Sequence, residues 1–336
     1  MGCILVEGIA TMLILFLTRL DRYWDGKLDE LRANFPEHDF VAYDNSDNPA
    51  KLLAEADLVV KGSLTAGEVE LAKNLKAVVV PWTGVDGLPL RELRHRSILV
   101  ANNHGNARIV AERAFALALA LTGRIVELHN SMVKGMWLGR PDGKNSQWFS
   151  ILGKSCAVLG MGQIGQNIAS FLKAFDCKVQ GFKKHISENI EGIDLLTENL
   201  EEAIEGTNLI FVALPLTAET VGMISLEILQ KMKGKYLINI ARGKVIDEEA
   251  LYETLVDGTL AGAAIDVWYN YPTKNMPFAL PSKYPIHTLP NVVMSPHVGS
   301  WSDEGNSAMV DDTIRNIVSY IVGGEFIDNV DLDLSY

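Results

Sequence analysis

The stretch Val158-Leu159-Gly160-Met161-Gly162-Gln163-Ile164-Gly165 leaves few folds open to this chain. The apolar run 156–159 enters a tight glycine turn. Ile164, Ile168, Phe171, Leu172 and Phe175 then follow at helical spacing. Strand, glycine turn and helix in that order form the phosphate-binding element of a dinucleotide fold. Gly160 permits the sharp turn, Gly162 lets backbone approach a pyrophosphate, and Gly165 lets helix and strand pack closely. The helix N-terminus offers unpaired N–H groups and a positive dipole end to the anion. An ordinary turn explains three glycines equally well in isolation; the strand-to-helix context favours the dinucleotide.

A chain of 336 residues can bury a large core, and its size suggests two domains. Lys and Arg number 30 against 42 Asp and Glu, a net charge of -12, which disfavours nucleic acid or an anionic membrane as partner. Local cations and backbone donors must therefore hold any anionic ligand. Cys3, Cys156 and Cys177 have no metal-ligand spacing, and their odd number reads as reduced thiols of a cytoplasmic protein. The 7 histidines are scattered without an i, i+4 pair, so no metal is expected.

Residues 3–17 are mostly apolar, but they include Glu7, lack a positive start and are too short to span a bilayer. Residues 12–17 are expected as a buried first strand, and 1–11 as an extension such as an upstream start codon would add. Apolar runs at 40–43, 58–60, 77–80 and 98–100 read as strands, with helices at 26–35, 49–54, 66–74 and 88–94. That alternation gives an open α/β sheet whose working edge lies at the carboxyl ends of the strands. The loop Trp82, Thr83, Gly84 and Val85 can aim backbone N–H groups at a carboxylate; a plain strand-to-helix loop fits the pattern equally. A polar hinge at 101–107 contains His104, read as a loop histidine. One long helix is expected from about 108 to 132, with an alanine-rich face through Ala114, Ala116, Ala118 and Ala120 suited to a second helix or subunit. Further strands are expected at 178–182, 209–214, 236–240, 261–265 and 292–294, and an amphipathic helix at 305–322 that packs back on the first domain.

Four motifs then occur in order: the glycine turn, Leu214-Pro215-Leu216-Thr217-Ala218-Glu219-Thr220, Asn239-Ile240-Ala241-Arg242-Gly243, and Ser295-Pro296-His297. With Gly262-Ala263-Ala264-Ile265-Asp266-Val267 and Val110-Ala111-Glu112 they resemble the D-2-hydroxyacid dehydrogenase family. The resemblance implies an α/β protein of two doubly wound parallel-sheet domains with a cleft between them. A flavodoxin-like substrate domain would take 1–104 plus 301–336, and a Rossmann NAD(P)-binding domain 105–300. It implies a homodimer through the 108–132 helix region. Arg242 matches the arginine that binds the substrate carboxylate, His297 the proton donor and acceptor, and the loop at Thr83, Gly84 and Val85 the carboxylate grip. Val110, Gln163, Ile164, Leu214, Pro215, Thr220, Ala241 and Asp266 match cofactor contacts, and Gly299 is expected near the nicotinamide amide. One position departs: where the family usually has Glu, this chain has Tyr271 before Pro272.

The residue types support that chemistry. Hydride transfer to a ketone leaves charge on oxygen, which needs a proton and a cation nearby. An imidazole such as His297 can donate the proton near neutral pH, and a guanidinium such as Arg242 can hold a carboxylate at two points. Tyr271 carries no charge near neutrality, so it can orient the imidazole but not stabilise its protonated form as an acid would. NAD-specific sites place an acid about 20 residues past the glycine turn. Phe182-Lys183-Lys184-His185 stands there instead, so NADP(H) is favoured and NAD(H) remains possible. Trp82, Tyr269, Tyr271 and Trp301 are expected either to line the pocket or to sit in the core. The leading expectation is a glyoxylate or hydroxypyruvate reductase. A formate- or phosphite-type anion dehydrogenase and a catalytically weak nucleotide-binding regulatory protein are the alternatives.

Overall fold

In the computed structural model every pairing between named strands is parallel among the described residues, which are 11–43, 48–138, 147–186 and 190–336. Cys3 and most of the expected 1–11 extension lie outside them. The chain divides into two compact units, 1–106 with 303–336 and 107–302.

The first unit alternates β1 (Leu13–Phe16), α1 (Lys27–Asn34), β2 (Asp39–Ala42), α2 (Pro49–Glu55), β3 (Leu58–Val60), α3 (Ala66–Leu71), β4 (Ala77–Val79), α4 (Leu90–His95) and β5 (Leu99–Ala101). Its strand order, β2-β1-β3-β4-β5, is the flavodoxin-like doubly wound order. Leu58, Val59 and Val60 are all fully buried, as are Ala77, Val78 and Val79. Helices cover both faces of such a sheet, so its strands read as unbroken apolar runs.

The second unit opens with helices α5 (Ala107–Thr122) and α6 (Ile125–Val133). The single helix expected over 108–132 is therefore two. Gly123 and Arg124 separate them, with Arg124 in the left-handed region at φ 52. A Cβ on Gly123 would press on the Leu119 carbonyl oxygen at 2.6 Å, and Glu127 holds the Arg124 guanidinium at 2.6 and 2.8 Å. Of the four alanines expected on the packing face, only Ala114 and Ala118 are on the buried one. Ala107, Ala111, Ala114 and Ala118 are buried and Ala116 is exposed. Spacings of three and four keep residues on one helix face, whereas spacings of two do not.

The rest of this unit runs β6 (Ser155–Leu159), α7 (Gln163–Ala174), β7 (Lys178–Phe182), β8 (Leu195–Thr197), α8 (Leu200–Ile204), β9 (Leu209–Val212), α9 (Leu226–Lys231), β10 (Tyr236–Asn239), α10 (Glu248–Val256), β11 (Gly262–Ile265) and β12 (Val292–Met294). The sheet order is β12-β11-β10-β9-β6-β7-β8, which reverses direction between β6 and β9. That reversal is the topological switch point, where ligands bind at the carboxyl ends of an open α/β sheet. Alternation along β6 divides the core: Cys156 and Val158 pack on the α5 and α7 side, Ala157 and Leu159 on the α8 to α10 side. Each fully buried aliphatic side chain contributes about 1.5–3 kcal/mol.

Helix α11 (Asp303–Gly323) belongs to the first unit. Its buried Asp312 accepts the backbone N–H groups of His104 at 2.7 Å and Gly105 at 3.0 Å. Asn103 Nδ2 donates to the Met309 carbonyl at 2.6 Å. The polar stretch 102–105 is thus tied to a helix some 200 residues later in the chain. Burial lowers the His104 pKa, with Asp328 opposing, so its imidazole resists protonation.

Candidate active site

Strand β6 ends at Gly160, whose φ of +102° is a conformation that side-chain-bearing residues rarely adopt. A Cβ there would lie 2.5 Å from the Ala213 carbonyl oxygen, and one on Gly165 would overlap the carbonyl oxygen of Gly160. Gly162 differs: a Cβ built on it meets nothing within 4 Å. The open space lies at the N-terminus of α7, where Gly162 is the N-cap and no side chain caps the helix. A pyrophosphate fits that cradle, with Gln163, Ile164 and Gly165 in the first turn.

Three neighbouring strands bring the other groups to the same edge of the sheet. At the end of β10, the buried Asn239 shapes the turn: its Oδ1 accepts from Ala241 N at 3.1 Å and its Nδ2 donates to the Arg242 carbonyl at 3.2 Å. The half-buried Arg242 then begins a 3₁₀ turn, with Nη1 donating to the Ala241 carbonyl at 2.8 Å. Gly243 is needed next, since a Cβ would meet the Trp268 carbonyl at 2.5 Å. After β11 comes Asp266, 2% exposed, whose carboxylate accepts from Val298 N at 3.2 Å and Gly299 N at 3.0 Å. After β12 comes His297, exposed, at φ 59. A left-handed histidine persists only where its surroundings fix it. Here Asp266 pins the two amides after it. The Trp268 indole donates to the Ser295 carbonyl at 2.8 Å, and Arg113 Nη2 to the Ser295 hydroxyl at 2.8 Å. Arg242 and His297 leave strands two spacings apart in the sheet, roughly 10 Å.

Residues 115–299 match the profile described as D-isomer specific 2-hydroxyacid dehydrogenase, NAD binding domain. The chain is 32% identical over 305 residues to glyoxylate/hydroxypyruvate reductase B of Pectobacterium carotovorum subsp. carotovorum, covering 88% of this chain and 92% of that protein. The chain belongs to the D-isomer specific 2-hydroxyacid dehydrogenase family. It is an oxidoreductase that works with a nicotinamide dinucleotide. Among solved structures it resembles an acyclic imino acid reductase in complex with NADPH and D-Arg, with TM-score 0.80, 27% identity, and coverage of 95% of this chain and 100% of that one. An NADPH-dependent glyoxylate/hydroxypyruvate reductase from Sinorhizobium meliloti, in complex with NADP and malonate, gives TM-score 0.78 and 25% identity, with 96% and 97% covered.

The Tyr271 ring lies 5.5 Å from the His297 ring, centroid to centroid, tilted by 50°. Its hydroxyl accepts the Trp268 backbone N–H at 2.9 Å. Tyr269, by contrast, packs against the core. Its hydroxyl donates to the Ile246 carbonyl at 3.1 Å, and burial pushes its pKa up. Thr220 shapes the loop after β9 by donating to the Pro215 carbonyl at 2.6 Å and accepting from Thr217 N at 2.8 Å. Leu214 and Ala241 are buried at their strand ends, and Val110 faces Gly299 from α5. Lys183 N–H donates to Thr197 at 3.1 Å, and the Lys184 ammonium pairs with the Glu219 carboxylate. In the first unit the Trp82 indole lies over Gly62, where a Cβ would displace the ring, and Asn102 Nδ2 donates to the Thr83 carbonyl at 2.8 Å. Val85, in the same loop, is buried.

Sequence reasoning quoted Asn239 and Ser295 inside motifs without giving them roles, and passed over Trp268 and Arg113. Strand order sets Trp268 beside Ser295, and the packing of α5 against β12 sets Arg113 there. Among the described residues no group of His, Cys, Asp and Glu is arranged to hold a metal ion, and no helix is long and apolar enough to cross a membrane.

Proposed function

We propose that this protein reduces a small 2-keto acid of the glyoxylate or hydroxypyruvate class to the D-2-hydroxy acid, using NADPH. One observation carries the proposal: Arg242 and His297 emerge from strand ends flanking Asp266, in the sheet whose β6 carries the open glycine cradle. Arg242 holds the substrate carboxylate and polarises its carbonyl. His297 donates a proton to the carbonyl oxygen, which becomes the product hydroxyl. Bound nicotinamide supplies the hydride that reaches the carbonyl carbon. Thr83 and Gly84, in the loop that follows Trp82, offer backbone N–H groups to a carboxylate. Lys183 and Lys184 favour a 2′-phosphate by charge. The names of the similar reductases support the substrate class.

A panel of glyoxylate, hydroxypyruvate, pyruvate and bulkier 2-keto acids with NADPH and NADH tests this. Formate and phosphite with the oxidised cofactors form its second arm. Fastest turnover of a two- or three-carbon keto acid with NADPH is expected. Oxidation of formate or phosphite alone would overturn the substrate class, and dinucleotide binding without turnover would overturn the enzyme assignment.

Tyr271 gives a pH prediction. A carboxylate within about 4–6 Å raises an imidazole pKa by about 1–3 units, and a phenol has no such charge to offer. Reduction needs imidazolium, so its rate falls as pH rises through the His297 pKa. Tyr271→Glu is expected to move that falling limb up by about one pH unit. Parent activity constant up to pH 9, or an unmoved limb in Tyr271→Glu, would remove the role given to this side chain.

A second copy of the chain is the proposed partner of the 108–132 region, where Leu119, Ile125, Val126 and Met132 are exposed. The buried free thiols Cys156 and Cys177 fit a reducing, cytoplasmic setting.

A further inference from the structure

Lys184 stands two residues past β7, and Glu219 lies in the loop past β9. In the sheet β6 lies between those two strands. Their ion pair therefore crosses over the exit of β6, which is where the glycine turn leaves the sheet. Both backbones are anchored. Next to Lys184, the Lys183 N–H is bound to the Thr197 carbonyl at the end of β8, and Glu219 N–H to the Thr217 hydroxyl at 3.3 Å. Thr220 ties the same turn to Pro215. The two side chains meet from opposite sides of the cradle on fixed supports. Lys184 holds the Glu219 carboxyl below its ordinary pKa, and His185 adds a smaller pull in the same direction.

We infer that Glu219 is a cofactor-selecting residue: it engages the Lys184 ammonium across the β6 exit, so a 2′-phosphate must take that cation from a carboxylate. The inference rests on the dinucleotide reading above. The end of β7 lacks the acid that accepts a ribose 2′-hydroxyl in NAD sites. Glu219 brings a carboxylate to the same neighbourhood from a strand on the other side of β6. A 2′-hydroxyl can donate to it and leave the ion pair standing. A 2′-phosphate, with two negative charges near neutrality, is repelled by Glu219 and competes for Lys184. The outcome is a preference for NADPH narrower than two adjacent lysines would give.

The test is titration of the full chain with NADPH and with NADH, followed by tryptophan fluorescence, at low salt and at 0.5 M salt. Glu219→Gln is expected to shift the NADPH-to-NADH Kd ratio about tenfold toward NADPH at low salt, less at high salt where exposed charges are screened. Lys184→Gln shifts it the other way. With Lys184→Gln already in place, Glu219→Gln has a smaller effect, because no ammonium is left to release. An unchanged ratio in Glu219→Gln would overturn the inference. So would an equal shift in both backgrounds, since that needs only charge repulsion at a distance. If the parent binds neither dinucleotide, the cofactor reading itself fails, a result distinct from either of these.

Discussion

Replacing His297 by asparagine is expected to lower kcat for glyoxylate reduction by about 10²–10⁴-fold, the usual contribution of a positioned general acid. Asparagine is chosen because His297 sits at φ 59. Asn enters the left-handed region more readily than other side chains, so the loop keeps its shape. Alanine would add backbone strain to the loss of the proton and blur the result. The anchors around position 297 are main-chain and remote: Asp266 on the amides of 298 and 299, Trp268 on the Ser295 carbonyl. None uses the imidazole, so the His297→Asn change leaves each of them in place. Dinucleotide titration supplies the control, since binding should persist while turnover collapses. The falling limb of the pH profile should also vanish, because no group remains to lose its proton. A variant that retains a tenth or more of parental kcat with the same pH profile would show that the proton comes from elsewhere.

The parts of the fold that were legible share one physical cause. A parallel strand buried on both faces must be apolar at every position, so 58–60, 77–79 and 209–212 stand out as runs without any partner in view. β8 did not stand out. Leu195-Leu196-Thr197 is an edge strand with one neighbour, and its half-buried leucines look like any loop. The break between α5 and α6 was hidden for another reason. Gly123 lies in an alanine- and leucine-rich background that propagates a helix, and Arg124 gives no sign of φ 52. At the site, the glycine turn announces its own geometry, because each glycine answers a different steric demand. Arg242 and His297 stand out by motif, and the sheet sets them on strands separated only by β11. The supports around them were not legible. Arg113 reaches Ser295 across 182 positions, and Lys184 reaches Glu219 across 35. The first depends on how α5 packs on the sheet and the second on strand order, and no local pattern encodes either. The placing of Tyr271 was also unreadable: its hydroxyl accepts the Trp268 N–H, and its ring lies 5.5 Å from the His297 ring.

Arg242 gives the other large effect, and its signature differs from that of His297. Arg242→Gln is expected to lower kcat/KM for glyoxylate by about 10²–10³-fold, since a two-point charge-assisted grip is worth several kcal/mol. Arg242→Lys keeps the charge but replaces a planar fork by a point donor, so it should recover only part of the loss. It also gives up the Nη1 bond to the Ala241 carbonyl that helps aim the side chain. The turn itself should survive either change, because Asn239 and Gly243 shape it through backbone contacts. What separates a carboxylate grip from a general structural role is the substrate. Glycolaldehyde offers the same carbonyl without an acid group. The parent should prefer glyoxylate strongly, and Arg242→Gln should erase most of that preference, because glycolaldehyde loses only the carbonyl polarisation while glyoxylate loses the grip as well. If both substrates lost the same factor, the guanidinium would be acting on the carbonyl, the fold or the cofactor rather than gripping the acid. The small-acid specificity proposed for this chain would then have to be sought in the loop that follows Trp82.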